Sequence, residues 1–424
     1  MIPARPLTRR TLLLAAAGVL TLPGVPRAAA QPGATPLTLR ARPGSTKLRA
    51  EGPATPIAVI ETGGDAPVRL PRGGVVDATF VNDLPVAARL RWRGLDGAPD
   101  LAALATAPVA PGGRAAFTLP LAFAGTLSCT VEPVADLPPA TLAVVVEEPA
   151  AEGYDREATL AIEEWRIMAD GRAVLPGQAP GDAAPVFSVN RMPAAELTAR
   201  THERLRLRFI NASQRTVFAV RIPDQTVYVW AIDSRPAEPF VARNSQLVLP
   251  PGGRIDALVD VASASGAETP ILLHDGTALH TIGRLTGAQG GPVRPEPLPP
   301  PAPLPADGLP ARLDLARAAR VTLDLGAEPP GNAPAFALKR GQVAVLALKN
   351  DGPQPAVVQL TGHHVRLLDR LDDGWKPFWL DTVIVPPRVT ERVAFLAAHA
   401  GRFAIAAGPP AWDAARRIFW FVVA

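Results

Sequence analysis

One alternating stretch decides the fold class of this chain: Arg204-Leu205-Arg206-Leu207-Arg208-Phe209-Ile210. Successive side chains of a β-strand point to opposite faces, so this period of two predicts a strand with arginines on one face and apolar residues on the other. We predict that the arginine face is solvated, and that the apolar face covers a hydrophobic core.

Similar short apolar or alternating runs recur along the chain, separated by Pro/Gly turns at intervals of roughly 8–12 residues. The other predicted strands are Val75–Val81, Ala115–Leu119, Leu142–Glu147, Gln225–Ile232, Ile255–Val261, Val343–Leu348 and Arg392–Leu396. This spacing is typical of antiparallel sandwiches or barrels. The chain of 424 residues also contains 49 prolines, which argue against long helices because each interior proline removes a backbone hydrogen bond. We therefore predict an all-β protein.

Composition divides the chain into segments with different predicted roles. They are a signal peptide at 1–30, β-domains at 31–150, 151–289 and 313–424, and a proline-rich linker at 290–312. The density of prolines in the linker predicts a stiff, extended connector. Pro-Gly-Gly turns at 111–113 and 251–253 each precede an arginine and a strand, which indicates duplicated domains.

The first thirty residues have the pattern of an export signal. The pair Arg9-Arg10 precedes the apolar run Leu12–Leu22, and Ala28-Ala29-Ala30 offers a small-residue cleavage site. The run is too short to span a bilayer comfortably. Paired arginines favour the twin-arginine route, with an ordinary secretory signal as the alternative. We expect a mature protein that is soluble in the periplasm and has no membrane anchor.

The net charge of +4 comes from the same segment. It contains Arg5, Arg9, Arg10 and Arg27 and no acidic residue, and the rest of the chain has equal numbers of basic and acidic residues. A basic footprint for nucleic acid is therefore missing from the predicted mature protein, and we expect no nucleic-acid partner.

The sequence contains few residues that could bind a transition metal and no recognised motif of a catalytic nucleophile. The chain has six histidines and one cysteine, the residue types from which transition-metal sites are chiefly built. His363 and His364 are adjacent on a predicted strand, so they should point to opposite faces and not share a metal. Cys129 is interpreted as a small buried apolar residue. The sequence contains no GxSxG elbow, P-loop, HExxH or CxxC motif.

Several segments, in order, resemble signatures of the multicopper oxidase superfamily. They are Val81–Pro85 with Arg91–Gly94, Gly125–Glu132, Phe209–Ser213, Leu249–Asp256, Gly362–Val365, Asp381–Pro387 and Gly401–Phe403. Members of this superfamily join cupredoxin-type domains in one chain. The resemblance therefore implies three consecutive cupredoxin-like Greek-key β-sandwich domains.

The resemblance also implies where copper ligands would stand. Active members hold copper in a mononuclear site of His, Cys and usually a weak axial Met, and in a trinuclear cluster bound by histidines. The matching positions here are Arg91, Arg93, Thr130, Glu132, Ala356, Gln359, Thr361, Ala406, Ala407, Gly408 and Trp412, with Arg417 where a Met is common. Alanine and glycine side chains offer no donor atom, and arginine is a cation that offers only donors of hydrogen bonds. We therefore predict no catalytic residue, no bound metal and no cofactor, with copper as the alternative.

Two substituted positions carry a further prediction about packing. The first two ligand motifs face each other in the superfamily, and an unpaired buried charge is costly. We therefore predict that Arg91 or Arg93 pairs with Glu132. The bulky Trp412 is expected to fill part of the space of the mononuclear site.

The same losses, combined with a twin-arginine-type signal, resemble a copper-free branch of the superfamily that acts in bacterial cell division. This resemblance implies a non-catalytic periplasmic scaffold, a monomer whose partners are periplasmic or divisome proteins. The alternatives are a copper-dependent, laccase-like oxidase and another periplasmic binding or assembly factor.

Overall fold

The computed structural model describes residues 35–64, 67–148, 153–369 and 376–424. It confirms the all-β fold and the eight strands predicted from apolar or alternating runs. The predicted signal peptide lies outside the described residues, and none of the described helices is long and apolar enough to cross a bilayer. Gly33–Ala424 forms one compact unit, so the predicted domain limits within it stay predictions.

Strands near the N-terminus form the first β-sandwich. In chain order the elements are β1 (Thr35–Thr46), β2 (Thr55–Glu61), β3 (Val68–Pro71), β4 (Val75–Asn82), β5 (Ala88–Arg93), α1 (Pro99–Leu104), β6 (Arg114–Pro120), β7 (Gly125–Pro133) and β8 (Ala140–Glu147). One sheet has the order β2-β1-β4-β6 and the other β3-β8-β7-β5. Cys129 is fully buried in the core between them, as predicted.

The second sandwich also consists of two sheets, with six and five strands. Its elements are β9 (Arg156–Arg166), β10 (Pro185–Val189), β11 (Ala195–Ala199), β12 (Arg204–Asn211), β13 (Phe218–Arg221), β14 (Thr226–Ile232), β15 (Arg235–Val241), a 3₁₀ turn (Arg243–Ser245), β16 (Gln246–Leu249), β17 (Arg254–Asp260), β18 (Glu268–His274) and β19 (Leu279–Gly287). The sheets have the orders β10-β9-β12-β17-β14-β15 and β11-β19-β18-β13-β16.

The third sandwich ends the chain. Its strands are β20 (Ala319–Asp324), β21 (Phe336–Leu338), β22 (Val343–Asn350), β23 (Ala356–Leu360), β24 (Arg366–Leu367), β25 (Thr382–Val385), β26 (Val389–Leu396), β27 (Gly401–Gly408) and β28 (Arg417–Val423). The sheets have the orders β20-β22-β26-β24 and β21-β28-β27-β23-β25. His363 and His364 lie in the loop between β23 and β24, so their placement on a strand was wrong, and both are buried.

The connector between β19 and β20 carries no strand in this described part of the chain and lies against the second sandwich. The indole Nε1 of Trp230 donates a hydrogen bond to the carbonyl of Ala302 at 2.8 Å. The Nη2 atom of Arg204 donates to the carbonyl of Leu298 at 3.0 Å. These bonds hold the proline-rich segment along one face of the second sandwich.

The prediction that the arginine face of β12 is solvated was wrong. Arg204, Arg206 and Arg208 are at most 1% exposed, although the apolar face lies in the core as predicted. The arginine face is covered by the first sandwich, whose Thr126 Oγ1 lies 2.9 Å from Arg208 Nη1, and by the proline-rich connector at Arg204. Burial is tolerated because each guanidinium meets a carboxylate on a neighbouring strand or segment.

Candidate functional site

The antiparallel pair β5 and β7 places the first two groups of substituted positions side by side. In this ladder Arg91 stands opposite Thr130. Leu90 and Trp92 point into the core of the first sandwich, so the alternation of β5 turns Arg91 and Arg93 towards the other two sandwiches. The strand pattern therefore gathers charged side chains at the first two groups of matched positions.

Arg91 and Glu132 form the predicted ion pair. Nη2 of Arg91 lies 2.8 Å from Oε2 of Glu132, and each side chain is 15% exposed. An arginine–carboxylate pair in such a half-enclosed setting is held more firmly than a surface pair, because water competes less for both charges. The prediction that one of the two arginines pairs with Glu132 is confirmed.

Arg93 has a different partner, which the sequence did not indicate. Its Nη2 donates to Oε1 of Gln359, a residue of β23 in the third sandwich. The side-chain Nε2 of Gln359 donates in turn to the backbone carbonyl of Pro251 in the second sandwich. Both side chains are buried, and Gln359 therefore links all three sandwiches at one point.

Arg416 is the residue of this cluster that sequence reasoning missed. Its Nη1 lies 3.2 Å from Oε1 of Gln359, and its Nη2 donates to the carbonyl of Gln214. The only signal was its position next to Arg417, which was matched to an axial ligand. A cavity of about 20 Å³ is lined by this arginine together with Arg91, Arg93, Thr130, Glu132 and Gln359.

Electrostatics at the cluster are dominated by positive charge. Burial and the neighbouring Arg91 lower the pKa of Arg93 to about 9. Burial, reinforced by Arg215, Arg91 and Arg93, lowers the pKa of Arg416 well below its usual value. Glu132 is the carboxylate that lines the cavity, so the described lining carries more positive than negative charge.

Beside this cluster, the backbone of the first sandwich approaches the second sandwich closely at Gly94. Gly94 follows Arg93 with φ +88°, and a Cβ atom there would lie 2.2 Å from Oγ of Ser234 in the second sandwich. The Gly94 amide donates to Oδ2 of Asp381 in the third sandwich at 2.9 Å. Glycine is required at this position because any side chain would push the sandwiches apart.

The remaining matched positions belong to the third sandwich and do not line the same cavity. Ala406, Ala407 and Gly408 stand opposite Gln359, Val358 and Val357 in the ladder of β27 with β23. Ala356 and Ala407 are buried in the core. The Thr361 hydroxyl donates to the carbonyl of Ala404 at 3.0 Å, which stabilises the turn after β23.

Trp412 packs towards the second sandwich. Its ring shares a small cavity with Trp165 and Val174, and the guanidinium carbon of Arg166 lies 5.6 Å from its centroid. Its backbone carbonyl accepts a hydrogen bond from the amide of Gly177 at 2.7 Å. The expectation that Trp412 fills the space of the mononuclear site stays a prediction.

Comparison with known proteins confirms the resemblance to multicopper oxidases. The multicopper oxidase family model matches residues 152–267. The chain is similar to a multicopper oxidase from Pseudomonas thermotolerans, with 23% identity and a TM-score of 0.77 over 92% of this chain and 99% of that one. It is also similar to Lac15 from a marine microbial metagenome, with 25% identity and a TM-score of 0.76 over 92% and 100%.

A more distant neighbour is the McoA multicopper oxidase of the hyperthermophile Aquifex aeolicus, with 16% identity and a TM-score of 0.72 over 92% of this chain and 96% of that one. No curated protein matches the chain. The protein thus has the cupredoxin-domain fold of the multicopper oxidases.

The residues at the matched positions do not fit copper. Ala356, Ala406, Ala407 and Gly408 have no side-chain donor atom, and the arginines repel a cation. Glu132, the one carboxylate among these positions, is held by Arg91. Across the described residues, no group of three or more His, Cys, Asp or Glu side chains is arranged to bind a metal. The chemistry of this donor set favours charge pairing over metal coordination.

Proposed function

We propose that this protein is a non-catalytic, copper-free relative of the multicopper oxidases that acts by binding other proteins. The observation that carries the proposal is the Arg91–Glu132 ion pair, which joins two positions that the resemblance matches to copper ligands. Arg93 and Gln359 extend the same replacement across to the third sandwich. The fold is preserved, while the matched positions carry an ion pair in the first sandwich and a hydrogen bond from Arg93 to Gln359 that joins the first and third sandwiches.

The particular role that we propose is stabilisation of the cell-division machinery in the periplasm. Support comes from the resemblance to the copper-free division protein FtsP (also called SufI), which shares the loss of ligands and a twin-arginine-type signal. On this proposal, the protein is exported by its first thirty residues and acts as a monomer on divisome proteins. Another periplasmic binding or assembly role is the nearest alternative.

An active oxidase is the rival from a different class, because the similar solved structures carry the name of multicopper oxidases. Such an enzyme would oxidise phenols or metal ions and reduce dioxygen at copper. It would need ligands that the matched positions do not provide. Copper content therefore separates the two functions directly.

We expect the purified protein, after reconstitution with copper, to retain well under one copper per chain. It should lack blue absorption and fail to oxidise a phenolic substrate, because the matched positions lack imidazole and thiolate donors. Metal analysis by mass spectrometry and an oxidase assay check this, with an active multicopper oxidase reconstituted in parallel. Stoichiometric copper with turnover would refute the copper-free proposal.

The division role predicts a defect in septation when the gene is deleted and cells are placed under osmotic stress. A fluorescent fusion that keeps residues 1–30 should concentrate at the septum, because a scaffold accumulates where its partners assemble. The control is the same fusion with Arg9→Lys and Arg10→Lys, which should stay in the cytoplasm if the twin-arginine route is used. Normal septation together with a uniform periplasmic signal would exclude this role.

A further inference from the structure

A cleft of about 600 Å³ lies between the first and third sandwiches. Its charged lining residues are Arg89 and Arg91 of β5 and Arg402 of β27, and no carboxylate is among the described residues that line it. Its volume falls within the range of small-molecule sites. The cleft is therefore a concave, basic surface that the proposed scaffold role does not use.

Two of these arginines have N–H groups that are not used in their hydrogen bonds to described backbone carbonyls. Arg89 donates from Nε to the carbonyl of Thr106 at 3.3 Å, and Arg402 donates from Nη2 to the carbonyl of Asn332 at 3.0 Å. Within the described chain, neither guanidinium has a carboxylate partner. The other N–H groups of both are consequently available to an incoming acceptor.

The rest of the lining is apolar or aromatic. Pro99 and Ala103 of α1 contribute one side, and Ile418 and Trp420 of β28 contribute the other. The guanidinium carbon of Arg402 lies 4.1 Å from the centroid of the Trp420 ring, which holds this arginine at the edge of the cleft. A ligand with an anionic group and an apolar part would thus find arginines for the first and an apolar surface for the second.

The arginine cluster behind the cleft adds to its positive potential. Arg91 lines both this cleft and the small cavity that contains Arg93 and Arg416. The two linings together hold five arginines against the single carboxylate of Glu132. Burial and like charges lower the pKa values of Arg93 and Arg416, as expected where positive charge lacks a counter-ion. Because the protein around the cleft has a low dielectric constant, the positive electrostatic potential of these arginines is concentrated in the cleft.

We propose that this cleft binds a small organic anion, with its carboxylate or phosphate group between Arg89 and Arg402 and its apolar body against α1 and Ile418. Arginine suits both head groups because its planar fork donates two parallel hydrogen bonds to an oxyanion. The ligand site is independent of the proposed division role and of copper content.

Titration calorimetry of the full-length mature protein with phenyl phosphate and with benzoate tests the proposal. We expect one molecule of at least one of these probes to bind per chain, with affinity that falls as salt is added. Arg89→Gln and Arg402→Gln should each weaken binding about tenfold or more, because a charge-assisted hydrogen bond is lost. Arg221→Gln changes an exposed arginine of the second sandwich and should leave binding unaltered.

Comparison of the two probes decides whether the head group is a phosphate or a carboxylate, and benzyl alcohol as a neutral analogue should not bind. Circular dichroism melting checks that the variants remain folded. Absence of binding for both anions at millimolar concentration would overturn the proposal. Equal binding by the wild type and by the double variant Arg89→Gln with Arg402→Gln would also overturn it.

Discussion

Replacement of Asp256 by alanine is expected to lower the free energy of unfolding by about 2–4 kcal/mol, because it removes a carboxylate shared by two buried arginines and leaves Arg206 with Glu148 and Arg208 with Glu157. One oxygen, Oδ2, lies 2.6 Å from Nη2 of Arg206 and 2.7 Å from Nη1 of Arg208. The other, Oδ1, accepts a hydrogen bond from Thr126 of the first sandwich at 2.6 Å. Asp256 is thus the carboxylate that Arg206 and Arg208 share, and through Thr126 it also joins two sandwiches.

Water cannot take the place of this carboxylate. Arg206 and Arg208 are at most 1% exposed, and the Trp230 ring lies against Arg206 with 4.8 Å between the guanidinium carbon and the ring centroid. Burial raises the pKa of Asp256, but the adjacent Arg208 and Arg206 outweigh it and hold that pKa below its usual value. The charged carboxylate is therefore the form that the fold stabilises.

Denaturation by guanidinium chloride, followed by tryptophan fluorescence, measures the loss. Glu196→Ala is the matched control, since Glu196 pairs with Arg284 at 2.6 Å on the surface of the same sandwich, where both side chains are more than half exposed. An exposed pair contributes at most about 1 kcal/mol. If Asp256→Ala cost no more than this control, the buried network would not stabilise the fold as argued.

Replacement of Arg254 by methionine is expected to lower the free energy of unfolding by a similar amount, about 3–5 kcal/mol, and to make it depend strongly on pH. The Arg254 side chain is buried in the second sandwich. Its Nη2 lies 2.6 Å from Oδ2 of Asp381 in the third sandwich, and its Nε lies 3.3 Å from the carbonyl of Thr126 in the first. Methionine keeps much of the volume but removes the charge and every hydrogen bond of the side chain.

The pH dependence follows from the carboxylates that remain. Burial favours the neutral form of Asp381, but Arg254 outweighs it and lowers the pKa of Asp381. Burial and the neighbouring Asp381 raise the pKa of Asp233 to about 6. Without Arg254, the pKa of Asp381 should rise above its unfolded value of about 3.9. The folded variant then binds more protons than the unfolded chain, so its stability falls as pH rises through this range.

Unfolding curves recorded at pH 5 and at pH 8 check the sign: the deficit of Arg254→Met relative to the wild type should be larger at pH 8. Arg243→Met is the control, because Arg243 is exposed in the 3₁₀ turn of the same sandwich. This control should change stability by less than about 0.5 kcal/mol at either pH. A deficit that is equal at both values would contradict the assignment of Arg254 as the counter-ion of Asp381.

Strand positions could be predicted from the sequence, since they depend on local pattern. The alternation in β12 predicted which residues enter the core, and Leu207 and Phe209 are fully buried there. The Arg91–Glu132 pair was also predicted, because the resemblance to the superfamily implies that the two motifs face each other, and the structure places them on paired strands.

Arg416 and Gln359 show why the rest of the site was not predictable. Gln359 bonds to Arg93, which is 266 residues away in sequence, and to the carbonyl of Pro251. Alternation gives the direction of a side chain relative to its own sheet but says nothing about which other domain covers that face. The arginines of β12 were assigned to solvent for the same reason.

The sequence by itself determined that the chain is all-β, that it resembles the multicopper oxidases, and that the matched ligand positions lack the donors of a copper site. Only the tertiary structure decided that the arginines of β12 are buried and that Arg93, Gln359 and Arg416 share one cluster at the junction of the sandwiches. The physical reason is that an arginine alternates along a strand in the same way whether it meets water or a carboxylate of another domain. Its environment is set by contacts between residues far apart in the chain.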